Sequence, residues 1–299
     1  MKRAVSISLG SSKRNNAVEL DLLGERVRIE RIGTDGDMEQ AARLFGELDG
    51  QVDAFGVGGA DLGLMVGDKR YLLHSVKPMV RLVKHTPLVD GSGLKNTLER
   101  GVAPYMDAQI GSPQPRRVLM TSGADRWGMS MSFLDSGYEG VFCDLMFGLG
   151  LPVPLRSAAA IIRVTALLLP VVTRLPFEWL YPTGEKQETN TPKFGRWYEW
   201  ASVIAGDCHF VKRFMPARLD GKIICTNTTT SEDVATFRAA GVSHLVTTTP
   251  RLEGRSFGTN MMEAMLVAVS GKGRPLTDSE LEKLIARLEL RPHIERLNE

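Results

Sequence analysis

The sequence predicts an α/β protein of two Rossmann-like lobes, with mostly parallel sheets and a helical middle segment, and three observations carry that prediction. Short apolar runs alternate with helical patterns along most of the chain, the order that builds parallel sheets through right-handed crossovers. Six of the runs break off into clusters of Gly, Ser, Thr, Asn and Asp, as strands do at the carboxyl edge of a sheet where ligands of this class bind. The alternation is interrupted once, over about residues 146–205, and then resumes.

Val5 to Leu9 reads as the first strand, ending in Gly10-Ser11-Ser12-Lys13-Arg14-Asn15. Val27 to Ile32 alternates like a second strand, and Asp35-Gly36-Asp37 opens a helix to about Leu48. Val52 to Val57 forms a third strand running into Gly56-Val57-Gly58-Gly59-Ala60-Asp61. Leu62 to Leu73, with Gly67-Asp68-Lys69 in its middle, has the turn chemistry of a hairpin, a helix capped by Asp61 being the alternative. A helix from about Ser75 to Lys84, a strand from Pro87 to Val89, the loop Asp90 to Thr97 and a helix from Asn96 to Met106 follow. Ser112-Pro113-Gln114-Pro115 reads as a linker, so the lobes are expected at residues 1–111 and 112–299.

Past the linker, Val118 to Thr121 is a strand, Thr121 to Arg126 the fourth loop, Trp127 to Leu134 a helix and Gly140 to Leu145 another strand. The middle holds Trp179, Trp197 and Trp200 with Tyr181, Phe194 and Tyr198, and the helical spacing of Phe194, Trp197 and Tyr198 favours core packing over a stacking site. Lys222 to Thr226, a helix from Ser231 to Ala240 closed by Gly241, and His244 to Thr248 then make a βαβ unit. Its strands end in Thr226 to Ser231 and Thr247 to Pro250, and helices Asn260 to Val269 and Thr277 to Leu288 close the chain.

Lys and Arg total 37 against 35 acidic residues, so the net charge of +2 gives no reason to expect nucleic acid. The three cysteines, Cys143, Cys208 and Cys225, are widely spaced without a CxxC pattern. That argues against a structural metal or disulfide framework and for a cytoplasmic setting. The stretch Leu155 to Leu175 is apolar for about one bilayer thickness, but Arg156, Arg163 and Arg174 fall on nearly one helical face and Pro170 interrupts it. It reads as a core helix with a polar edge, an arginine wall facing an anionic ligand, or a peripheral contact with phospholipid head groups.

The loops supply the candidate chemistry. Gly10, Ser11, Ser12, Lys13 and Arg14 combine backbone amides, hydroxyls and cations after a strand, which is what a phosphate or carboxylate needs. Ser92, Asn96 and Thr97 surround Lys95, the candidate proton-transferring residue, with Asp90 or Asp125 as its catalytic partner. Ser122 and Arg126, Asn227 and Thr228, and Arg255, Ser256 and Asn260 are further anion-binding candidates. Gly56, Gly58 and Gly59 are the nearest match to a dinucleotide turn, but their spacing misses the G-x-G-x-x-G fingerprint and Asp61 would repel a pyrophosphate. Adjacent Cys208 and His209 carry little promise as a nucleophilic pair, because neighbouring residues of a strand face opposite ways.

Four segments, Ser8 to Arg14, Ile32 to Asp37, Val89 to Arg100 and Glu253 to Asn260, resemble the bacterial family labelled quinate 5-dehydrogenase. The resemblance implies NAD- or NADP-linked oxidation of a cyclic polyhydroxy carboxylate, and it carries over no catalytic residue. The expected ligand is therefore a small anionic polyol. The alternatives are an enzyme acting on a phosphorylated sugar or nucleotide without hydride transfer, and a non-catalytic ligand-binding or membrane-surface protein.

Overall fold

The computed structural model describes residues 1–177, 190–252 and 255–299, without the side chains of Arg251, Leu252, Arg255 and Ser256. Trp179 and Tyr181 lie outside the described residues.

The first half contains strands β1 (Lys2–Ser8), β2 (Asn16–Leu22) and β3 (Glu25–Gly33), helix α1 (Met38–Leu48), and strands β4 (Ala54–Gly58), β5 (Gly63–Val66), β6 (Lys69–Leu72) and β7 (Leu88–Val89). Five of these form a sheet in the order β2-β3-β1-β4-β7, parallel except for the β2–β3 pair at its edge. Central β1 is apolar on both sides because both faces are covered. Val5 and Ile7 pack with Phe45 of α1 on one face, and Ala4 packs with Met261 and Met265 on the other. Asp37 caps α1 by accepting from Gln40 N at 2.8 Å. The hairpin alternative is the one formed: β5 and β6 pair antiparallel, with Gly67 at a φ of 60° in the turn.

Next come α2 (Ser92–Asn96), α3 (Val102–Ile110), β8 (Arg117–Met120), α4 (Trp127–Asp135), β9 (Glu139–Phe142), α5 (Asp144–Leu149) and α6 (Ala158–Val172). After them lie α7 (Gly195–Trp200), β10 (Val203–Gly206), α8 (Cys208–Phe214), β11 (Ile223–Thr226), α9 (Ser231–Ala239) and β12 (His244–Thr247). The chain closes with β13 (Arg251–Leu252), β14 (Arg255–Ser256), α10 (Thr259–Ser270), α11 (Asp278–Arg287) and β15 (His293–Arg296). The second sheet runs β15-β12-β11-β10-β8-β9, with β15 alone antiparallel to its neighbour. The fold is α/β with two parallel-dominated sheets.

Four expectations are corrected by packing. Edge strands β2 and β15 were not expected: β2 does alternate, as Val18-Glu19-Leu20-Asp21-Leu22, but was passed over, and β15 is short and carries charges at both its last positions. The predicted helix at Ser75 to Lys84 is a 3-10 helix over His74–Val80, with Pro78 inside it. The middle segment is not wholly helical, since β10 lies inside it and sits in the second sheet between β11 and β8. A division at 111/112 puts α10 with the second lobe, whereas Met261, Met262 and Met265 of α10 pack with Ala4, Ile29 and Ala54 of the first sheet. A Cβ at Gly56 would stand 2.8 Å from Asn260 O, so this helix reaches the sheet at a point where only a hydrogen fits.

Candidate functional site

Strands β1, β4, β8, β10 and β11 end at an open cavity of ≈ 650 Å³ between the two sheets. Five of the six loop clusters contribute to its wall, through Gly10 and Arg14, Gly58 to Asp61, Asp90 and Lys95, Ser122 to Arg126, and Asn227 to Thr230. The sixth does not: Thr248 and Thr249 are buried beneath it, donating to Glu99 Oε1 at 3.2 Å and to Asn227 O at 3.1 Å.

Lys95 sits at the centre of the inner wall. Helix α2 begins at Gly91 with a φ of 93°, and Asp90 fixes that start by accepting from Ser92 N at 3.0 Å and from Leu62 N at 2.7 Å. The amine of Lys95 lies 2.7 Å from Asp61 Oδ1 and 2.7 Å from Asp125 Oδ1. Burial opposes its charge, but Asp125 and Asp61 outweigh that and hold its pKa above the ordinary lysine value. Lys95, the expected proton-transferring residue, is thus ion-paired to two carboxylates, an arrangement that favours its charged form. Asp61 is the group near neutrality, raised to about 7 by burial, with Lys95 opposing and Asp125 and Asp90 adding to the rise. Burial acts the same way on Asp125, yet Lys95 and Arg126 prevail and keep it below the usual carboxylate range.

Arg126 extends the network across the lobes. Its guanidinium meets Glu99 at 2.6 Å, Asp207 at 3.1 Å and Asp125 at 3.4 Å. Asp207 in turn accepts from Asn227 Nδ2 at 2.8 Å. Ser122 Oγ is buried without a hydrogen-bond partner among the described residues, and on the far wall Asn260 donates to Ser6 Oγ at 2.6 Å. The wall thus offers fixed carboxylates, amides and hydroxyls, a set suited to hydroxyl groups that both donate and accept.

Other predicted residues serve local structure. Ser11 Oγ accepts from Lys13 N at 3.2 Å, and Ser12 N donates to Asp35 at 2.8 Å, so Ser11, Ser12 and Lys13 shape the turn that presents Arg14. Ser92 is engaged with Asp90, Thr97 Oγ1 donates to Gly93 O at 2.7 Å, and Asn96 is half-buried beside Gly128. Gly58 and Gly59 line the cavity, but Gly56 faces α10 and the segment continues into the β5–β6 hairpin. The turn consequently lacks the following helix N-terminus that a dinucleotide fingerprint requires. The side chains of Arg255 and Ser256 lie outside what is described.

The expected arginine stripe is not one helical face, since only Arg163 lies within α6 while Arg156 precedes it and Arg174 follows it, and none of the three lines the cavity. The cavity meets α6 at Leu169 and Val172, whereas Arg156 pairs with Glu139 at 3.2 Å and lies over the Trp197 ring, and Arg163 is exposed. Arg174 bonds back to Pro170 O. Among the described residues no helix is long and apolar enough to cross a membrane. Cys208 and His209 open helix α8 rather than lying on a strand, and Cys208 is buried, with burial pushing its thiol up and disfavouring a thiolate. Arg31, His209 and Arg213 also line the cavity and were not singled out from sequence as an anion-binding group.

A family model described as Domain of unknown function (DUF8754) matches residues 93–297, and a second, Domain of unknown function (DUF8753), matches residues 3–90. The chain belongs to the DUF8754 family. No curated protein matches it. Similar solved structures include a Mycobacterium smegmatis protein in complex with β-D-fucofuranose, 10% identical, covering 99% of each chain at a TM-score of 0.32. The XylFII–LytSN complex is 12% identical, covering 99% of this chain and 97% of that one at a TM-score of 0.35. A sugar ABC transport substrate-binding protein from Bordetella parapertussis 12822 is 10% identical, covering 93% and 82% at a TM-score of 0.31. Likenesses of this size carry neither fold nor ligand to this chain. The resemblance to quinate 5-dehydrogenase is corrected by the family matches, and with it the oxidoreductase assignment.

Proposed function

We propose that this member of the DUF8754 family binds a small, hydroxyl-rich molecule in the cavity between its two sheets, and that binding rather than hydride chemistry is its role. The observation that carries this reading is the convergence of five strand-end loops, from both sheets, on one wall of carboxylates, amides and hydroxyls. Lys95 and Arg126 hold Asp61, Asp125 and Asp207 in place, so the acceptors are ordered before the ligand arrives, which lowers the cost of binding. Titration calorimetry against a panel of aldoses, polyols and sugar acids tests it. At least one should bind, and Asp125→Asn and Asn227→Ala should each weaken that binding roughly tenfold, the worth of a charge-assisted hydrogen bond. Binding unchanged in both variants would place the ligand elsewhere.

One observation favours a second reading. Asp61, raised to about 7 by burial beside the ion-paired Lys95, is suited to accept or return a proton at neutral pH. Incubation of the bound ligand in deuterated water, followed by mass spectrometry, separates the readings. Carbon-bound deuterium that appears with the wild type and not with Asp61→Asn would make the protein an acid–base catalyst.

A further inference from the structure

The mouth of the cavity carries a different chemistry from its inner wall. Arg14 and Arg31 line it from the first lobe, and Arg213 lines it from α8 of the second. Arg31 is anchored, donating to Ser11 O at 2.9 Å and Ser8 Oγ at 3.1 Å, and it lies so close over Gly10 that a Cβ there would meet its Nη2 at 2.9 Å. Burial and the neighbouring Arg14 lower its pKa to about 10, against the pull of Asp35. Asp35 is itself taken up by Ser12 N at 2.8 Å. Among the described residues neither Arg14 nor Arg213 pairs with a carboxylate, and Arg213 lies instead over the Phe214 ring.

Two guanidinium groups near enough to repel one another, with a third lining the same cavity from the opposite lobe, make a cationic wall that an oxyanion would neutralise. The inner wall cannot supply that anion, since Asp125 and Asp207 are already engaged with Lys95 and Arg126. We infer that the ligand carries a phosphate or carboxylate group, bound at the cavity mouth between Arg14 and Arg31 of one lobe and Arg213 of the other, with its hydroxyls directed to the inner carboxylates. The inference rests on the cavity being the ligand site and specifies which class of polyol enters it. An anion shared by arginines of both lobes also ties occupancy of the mouth to the approach of the two sheets.

Inorganic phosphate is the first probe, added at constant ionic strength while the thermal midpoint is followed. A saturable rise is expected in the wild type and its loss in Arg31→Gln and Arg213→Gln. Because Arg31 also braces the Ser11 turn, Arg213→Gln keeps the test independent of folding. Matched pairs then identify the anion: ribose against ribose 5-phosphate, and glucose against gluconate, by calorimetry. The charged member of one pair should bind roughly tenfold more tightly, and Arg213→Gln should remove that margin. An absent phosphate effect, or one that persists in both variants, overturns the inference even if a neutral polyol binds. Arginine-dependent phosphate binding without any polyol binding upholds the anion site and sinks the proposed function instead.

Discussion

Replacing Glu263 by Gln should flatten the pH dependence of stability, and the size of the effect follows from where this carboxyl lies. Glu263 is on α10, 5% exposed, with Oε2 accepting from Gly93 N at 2.9 Å and Leu94 N at 3.4 Å at the start of α2. Burial, and then Asp90, raise its pKa from 4.5 to about 8, although the two backbone amides pull the other way. The native protein therefore keeps a proton that the unfolded chain releases above about 4.5. Stability that is complete below that pH is lost progressively as the pH climbs through about 8. At about 1.4 kcal/mol per pH unit, the loss between pH 5 and pH 8 comes to roughly 3.5 kcal/mol. Glutamine keeps an oxygen for the same amides and cannot ionise, so that loss should vanish. Urea unfolding of both proteins at pH 5, 6, 7 and 8 measures it. Asp61 contributes a slope of the same sign, but it is common to both proteins and cancels in the difference. Parallel curves for wild type and variant would refute the reasoning.

Further substitutions probe the frame of the site. Gly128→Ala should destabilise by at least about 1–3 kcal/mol, because its Cβ would fall 2.0 Å from Lys95 O; an unchanged thermal midpoint would disprove the close approach of α4 and α2. Lys95→Met strips the counter-charge from Asp61 and Asp125 and should cost about 3–5 kcal/mol at pH 8. The cost should shrink at pH 5, below the value of about 7 at which Asp61 takes up a proton, and denaturant unfolding at both pH values reads the difference. Cys143, Cys208 and Cys225 are buried and free, and burial raises each thiol. Ellman's reagent should leave all three unlabelled in the native protein and label all three in guanidinium chloride; a fast native reaction would contradict that burial.

The parts of the fold legible in the sequence are those where local chemistry and tertiary packing agree. Asp37 opening α1 and Gly67 in a hairpin turn announce themselves through residues that few other conformations favour, while the cap before α9 falls on Thr230, with Asp233 completing a capping box, rather than on Ser231. The runs that became β1, β4, β8, β11 and β12 are apolar because helices cover both faces of their sheets. Edge strands β2 and β15 carry no such mark, since an edge needs pairing on one side only. The loops Gly10 to Asn15 and Asp90 to Thr97 pointed to the site, but the sequence cannot show that Lys95 would be gripped by Asp61 and Asp125. Those partners lie 34 and 30 positions away, and a lysine between two carboxylates has the opposite proton affinity to one buried alone. Arg31 was read as a strand residue and Arg213 was assigned to no element; only the facing of the two sheets makes them neighbours of one cavity.

The crossing of α10 back to the first sheet has a consequence for how the chain matures. Ala4, Ile29 and Ala54 are covered by methionines of a helix that begins only at Thr259. A nascent chain elongating at about 5–20 residues per second thus holds this half-finished sheet open for on the order of ten seconds. The second sheet receives its last strand later still, at His293–Arg296. Ribosome-bound intermediates are therefore sticky by construction, and a trigger-factor-like holdase acting on the first hundred residues would have a defined surface to shield. The same threading means that a cut near residue 111 would strip the first sheet of the helix that covers it.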